Sequence, residues 1–188
     1  MVNRTKEMKV WGQLLNDYRL PRWKDLPDID LYKEQVISLV EQYADIIPGD
    51  EKLLTPAMIN NYVKLGVVPP PKGKRYQKIH LAYFLAITIF KQVLTVSEIN
   101  SGLKLQRRLS QVEKAYDIFC DEIEHAFQIV AAQTKIAEPK SAFEHYVSRE
   151  NLTMRMVCFS VATKLYTKKI LSIPMVLSSA EKKKATAK

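Results

Sequence analysis

Residues Leu54 to Ile99 read LTPAMINNYVKLGVVPPPKGKRYQKIHLAYFLAITIFKQVLTVSEI, and the punctuation in this stretch decides the fold. Thr55-Pro56 opens a helix with two agreeing signals: a hydroxyl that accepts otherwise unpaired backbone N–H groups, and a proline where no N–H is missed. The helix runs from Ala57 to Leu65, with Met58, Ile59, Val63 and Leu65 on its buried side. Gly66 ends it in the position that takes a positive φ. Val67-Val68 predicts a short extended piece. Pro69-Pro70-Pro71-Lys72-Gly73-Lys74-Arg75-Tyr76 predicts a stiff turn carrying three cations and a ring. A helix over Ile79–Leu94 follows, apolar on nearly every side and so expected at the centre of the domain. Thr95-Val96-Ser97-Glu98 is a capping box for a further short helix through Ile99 and Leu103.

Toward the N-terminus, Leu31, Tyr32, Val36, Leu39, Val40, Tyr43 and Ile47 recur at helical spacing and form one apolar stripe. Asp28 or Asp30 can cap that helix, and Pro48-Gly49 stops it. Residues 1–30 predict an arm with a short helix near Val10–Tyr18 and an extended stretch held to the body by Trp23. Toward the C-terminus a long helix is expected over Arg107–Lys135, with Leu109, Val112, Tyr116, Phe119, Ile123, Phe127 and Val130 as a seam for a partner helix. A last helix is expected over about Ser141–Ser172, ended by Pro174. The expected architecture is therefore all-α with a short β wing. It divides into an arm (1–30), a winged helix-turn-helix (31–106), a C-terminal helical region for dimerisation or regulation (107–177) and a basic disordered tail (178–188).

Charge is distributed unevenly over the 188 residues. The net charge is +9, yet residues 1–53 carry −2 and residues 109–188 only +3. Residues 54–108 hold nine Lys/Arg against a single acid, Glu98, which is the footprint expected of a surface that meets a polyanion. Two cysteines, Cys120 and Cys158, are too few for a disulfide framework and predict buried free thiols in a reducing cytoplasm. The start of the chain has no apolar core of signal-peptide length, and the apolar stretch Ile79–Phe90 is too short to span a bilayer. A cytoplasmic location without membrane contact is the expectation.

A DNA-reading helix is short, exposed along one face and lined with groups that reach phosphates and base edges. Asn60, Asn61 and Lys64 lie near one face of the helix after Thr55. Asparagine can pair with adenine N6 and N7, lysine with guanine or phosphate, and the Tyr62 hydroxyl with phosphate. Lys72, Lys74 and Arg75, held close by the proline triplet, repel one another, and a phosphate backbone relieves that repulsion. The candidate DNA-binding residues are thus Thr55, Asn60, Asn61, Tyr62, Lys64, Lys72, Lys74, Arg75 and Tyr76.

The run NNYVKLGVVPPPKGKRYQKIHLAYFLAI, residues 60–87, resembles the MerR-type winged helix-turn-helix. Asn61-Tyr62, Gly66-Val67-Val68-Pro69, Arg75-Tyr76 and Leu81 to Ile87 stand in the places of that pattern, and Leu94 to Ile99 resembles the opening of its next helix. More broadly, about Leu20–Leu177 is similar to a bacterial family of unknown function that carries this MerR-like segment and includes proposed transcriptional regulators. The resemblance implies DNA binding through helix and wing, and a homodimer. Asn61 replaces one of the paired tyrosines of the MerR helix, Asn60 replaces the arginine before them, and the metal-binding cysteine set is missing.

Other classes find less support. His80, His125 and His145 form no HExxH, Cys/His zinc or nucleophile pattern, so no enzyme activity, cofactor or metal is expected. Asp121, Glu122 and Glu124 beside His125 read as a solvated acidic face. Tyr116, Phe119, Phe127, Phe143, Tyr146, Met154, Met156 and Phe159 read first as core and second as a pocket for a small-molecule effector. The expectation is a sequence-specific transcriptional regulator that binds double-stranded DNA. The alternative is a protein-interaction or ligand-sensing module that keeps the scaffold without binding DNA.

Overall fold

A computed structural model describes residues 2–48, 52–134 and 151–173. Among these residues there are seven α-helices: α1 (Val2–Asp17), α2 (Lys33–Tyr43), α3 (Pro56–Lys64), α4 (Lys78–Phe90), α5 (Val96–Leu109), α6 (Val112–Ala132) and α7 (Leu152–Ser172). A 3-10 turn occupies Trp23–Asp25. No extended strand occurs among the described residues. Two isolated antiparallel bridges, Leu31–Tyr76 and Lys72–Arg75, are the β structure there.

α4 is the axis of the molecule. Every residue from His80 to Phe90 is buried, as an all-round apolar helix must be. Leu81, Phe84, Leu85, Ile87 and Ile89 are sealed off completely, each contributing about 1.5–3 kcal/mol of burial. α2, α5, α6 and α7 all pack against α4. The Thr95 capping box forms as expected: the Thr95 N–H donates to Glu98 Oε2 at 2.7 Å, and the Glu98 N–H to Thr95 Oγ1 at 3.3 Å.

Three expectations need correction. The N-terminal region is not an arm but a component of the core. α1 starts eight residues earlier than anticipated and packs against α6, with Met8 and Leu15 buried and the Tyr18 ring edge-on to Phe127. Trp23 does anchor the following segment, its ring edge-on to Tyr116, and its backbone N–H donates to Asp117 Oδ1 at 2.7 Å.

The long helix breaks where periodicity alone shows nothing. Ser110 adopts an extended backbone, so Arg107 and Leu109 belong to α5 and α6 starts at Val112. The seam on α6 is also taken within the chain. Tyr116, Phe119, Ile123, Phe127 and Val130 are buried, because α6 is packed by both α1 and α7. Leu109, left behind on α5, is 43% exposed.

Of the three acids read as a solvated face of α6, Glu122 and Glu124 are buried instead. Glu122 makes a two-pronged pair with Arg155 of α7, at 2.7 and 3.1 Å. Glu124 accepts from the Leu20 N–H at 2.9 Å and from both terminal nitrogens of Arg22 at 2.6 and 2.9 Å. Asp121 is exposed and adds a contact to Arg22. Packing of α6 between α1 and α7 buries Glu122 and Glu124, and arginines reached from elsewhere in the chain balance them. His125 is half-buried against Phe159. Cys120 and Cys158 are buried free thiols; burial pushes the Cys120 thiol up to about 12, which keeps it inert. His145, Phe143 and Tyr146, the first turns expected for the last helix, and the tail lie outside the described residues.

Candidate nucleic-acid interface

α3 is built by its ends. Thr55 caps it, Oγ1 accepting the Met58 N–H at 3.2 Å, and Pro56 occupies the first helical position. At the far end the Gly66 N–H donates to the Val63 carbonyl and the Val67 N–H to the Tyr62 carbonyl, both at 3.0 Å. Gly66 sits at φ +66° with open space around its Cα. This crossed pair of bonds closes the helix and turns the chain sharply, which is the use glycine has there. Val67 and Val68 leave as buried bends rather than a strand.

The buried side of α3 consists of Ile59 and Tyr62; Met58 and Val63 are half-buried. Leu65, expected inside, is 52% exposed because it is already the C-cap. Asn60, Asn61 and Lys64 are exposed. Thr55 is half-buried and its hydroxyl is committed to the cap.

The basic turn is tight and anchored. The Arg75 N–H donates to the Lys72 carbonyl at 3.1 Å, with Gly73 at φ +61° in the first central position. A positive φ there gives the turn the twist of a two-residue hairpin. Tyr76 and Leu31 exchange both backbone hydrogen bonds, at 2.8 and 2.9 Å, fixing the turn to the segment that opens α2. Lys72, Gly73 and Lys74 project into solvent.

Two of the aromatic candidates face inward. Tyr62 is 2% exposed, with the Lys91 ammonium 5.9 Å above its ring. Tyr76 is 4% exposed and packs against His80 and Phe84. Both support the surface from below. Arg75 is also committed: its guanidinium lies 3.5 Å from the centre of the Tyr32 ring and donates to the Tyr32 hydroxyl.

The structure brings Asn60, Lys64, Gly73, Lys74 and Pro71 together along one open groove, whose other wall is Tyr32, Lys33 and Glu34 at the start of α2. Sequence reasoning missed two of these. Tyr32 was assigned to the apolar stripe of α2, yet it is the N-cap and 51% exposed. Lys33 donates to Asn60 Oδ1 at 2.9 Å. The cap of α2 is accordingly Tyr32, whose N–H is held by Gln35 Oε1 at 2.8 Å, in place of Asp28 or Asp30. The signal for both was faint: an aromatic residue at the cap and a lysine at the first helical position, with Tyr32 not distinguishable from stripe residues by spacing.

Among the described residues none of Lys64, Lys72 or Lys74 lies in an ion pair. No group of three or more His, Cys, Asp or Glu there could hold a metal, and no helix is long and apolar enough to cross a membrane. No curated protein and no solved structure matches the chain. The pattern of one family does match, over residues 21–119, which takes in the 3-10 turn, α2 through α5, the basic turn and the start of α6. That region is more than half of the chain, and the protein belongs to the family described as domain of unknown function DUF1836.

Proposed function

We propose that this protein is a sequence-specific DNA-binding regulator that sets α3 and the 72–75 turn against a duplex, in the manner of a MerR-like winged helix-turn-helix. The observation that carries the reading is the groove in which Asn60 and Lys64 of α3 meet Lys74 of the turn. Exposed cations held near one another by Gly73, Gly66 and the Leu31–Tyr76 bridge repel, and counterion release on binding phosphate relieves this. Lys64, Lys72 and Lys74 take the phosphate-holding role. Arg75, stacked on Tyr32, braces the turn. Asn60 and Asn61 face the base edges, with Lys33 orienting the Asn60 amide. No catalytic role is assigned to any residue, and the reading places the protein in the cytoplasm.

A homodimer fits a regulator of this kind. With the inner seam of α6 occupied, the contact falls to outward apolar residues such as Leu105 and Leu109 of α5, which are 47% and 43% exposed. Sedimentation of the wild type and of Leu105→Asp distinguishes dimer from monomer.

The test of function is selection from a randomised duplex pool, followed by anisotropy titrations at several salt concentrations. An enriched motif is expected, with affinity falling steeply as salt rises. Replacing Lys64 and Lys74 together by Ala should lower affinity for all sequences and reduce the logarithmic salt slope by about two. No enrichment and no salt-dependent binding removes the reading. In that event the interaction-module alternative gains, and the exposed Leu65 beside the uncharged Asn61 is the observation in its favour.

A further inference from the structure

A cavity of about 50 Å³, open on one side, lies between α4, α5, α6 and the first turn of α7. Its origin is a run of small side chains. Ala82 and Ala86 stand one helical turn apart on α4 and Ala115 lies opposite on α6, so no side-chain bulk fills the space that α5 leans over. Phe90, Phe119 and Met154 complete an almost wholly carbon wall. Protein interiors are close-packed, and an apolar void of this kind gives water too few partners to hold it. It is suited to a carbon body of about four non-hydrogen atoms, by the space one water needs.

The mouth supplies a single kind of charge. Gln106 and Ser110 satisfy each other at 3.1 Å. Arg107 lies at the rim, 5.4 Å over the Tyr83 ring, and donates to the Val67 carbonyl at a long 3.4 Å. A guanidinium held by one stretched neutral bond and a ring face has donors to spare, and a carboxylate is the partner that matches its fork.

We propose that this cavity is a binding site for a small carboxylic acid with a compact branched or cyclic apolar tail, the tail between Ala86 and Ala115 and the carboxylate on Arg107. The same arginine touches Val67, whose N–H closes the end of α3. Drawing Arg107 to a carboxylate loosens its bond to Val67, so the occupied site is felt at the C-terminus of α3. The proposal stands apart from the DNA reading: it concerns a different face and is tested without nucleic acid.

The test uses the full-length, isotope-labelled chain titrated with 3-methylbutanoate and cyclobutanecarboxylate, and with the corresponding neutral amides. Millimolar acid should shift backbone amide signals along α4 and α5 and at Val67, while the amides bind about tenfold more weakly or worse. Arg107→Met, a change at an exposed side chain, should abolish that preference by weakening the acids alone. Ala115→Leu, which fills the cavity, should remove the response to acids and amides together, with thermal melting showing the fold intact. Equal binding of acids and amides to the wild type overturns the proposal. So does a response that survives Ala115→Leu, or none at all, which means the cavity is closed by the chain itself.

Discussion

Charge is handled in opposite ways in two regions of this molecule. In the α1–α6–α7 layer, Glu122 and Glu124 are 8% and 5% exposed, and each is matched by an arginine through paired hydrogen bonds. On the α2–α3 face, Lys64, Lys72 and Lys74 stand in solvent with no acid paired to them among the described residues. The first arrangement is complete in itself, because a buried charge without a partner is untenable. The second is left open, which water tolerates at little expense and which a polyanion would complete. One layer is organised to be stable, and the other to meet something.

Breaking the inner pairing should have the largest consequence. Glu122→Ala takes two charge-assisted hydrogen bonds from Arg155, whose side chain is only 12% exposed, and should destabilise the fold by about 3 kcal/mol in urea denaturation. Replacing Glu122 and Arg155 together by Met should restore most of that loss. A double variant as unstable as the single one means that the pair is not the source of the effect.

A smaller effect belongs to the turn that frames the outer face. Gly66→Ala should cost about 1–2 kcal/mol, since the strain comes from φ +66° alone and nothing crowds the added methyl group. An unchanged melting temperature shows that the α3 cap is not made as described. The outer lysines should matter less still to stability: Lys64→Ala with Lys74→Ala should leave it within about 0.5 kcal/mol, whatever happens to ligand affinity. A large loss there would merge the two layers into one kind of surface.

The smallest effect is acid fraying of α5. The Thr95 backbone and hydroxyl hold the Glu98 carboxyl below its ordinary value of 4.5. A lowered folded-state pKa means the cap contributes fully above the unfolded value and is lost as pH falls through the folded one. The protection of the Thr95 and Glu98 amides against exchange, relative to their intrinsic rates, should therefore fall only below about pH 4.5, and the Glu98→Gln variant should show no such fall.

Much of α3, α4 and the start of α5 was legible because their signals are local. Thr55-Pro56, Gly66 and Thr95-Val96-Ser97-Glu98 work through bonds that span three to five positions, so no distant partner is needed to read them. The turn at Gly73 was legible for the same reason. The α5–α6 break at Ser110 was not, since Leu109 and Val112 keep helical spacing across it. Tyr32 and Lys33 were hidden because their partners, Arg75 and Asn60, are 43 and 27 positions away.

The amino-acid order alone determined that the chain forms capped helices around one wholly apolar helix and gathers its positive charge in a single middle segment. Those properties depend on neighbouring residues and on composition. Only the tertiary structure decided that α1 belongs to the core, that Glu122 and Glu124 of α6 are internal, that Tyr62 and Tyr76 face inward, and that three alanines leave a cavity beneath Arg107. Each of these depends on which surfaces meet, and burial is a property of the assembled layers rather than of any one of them.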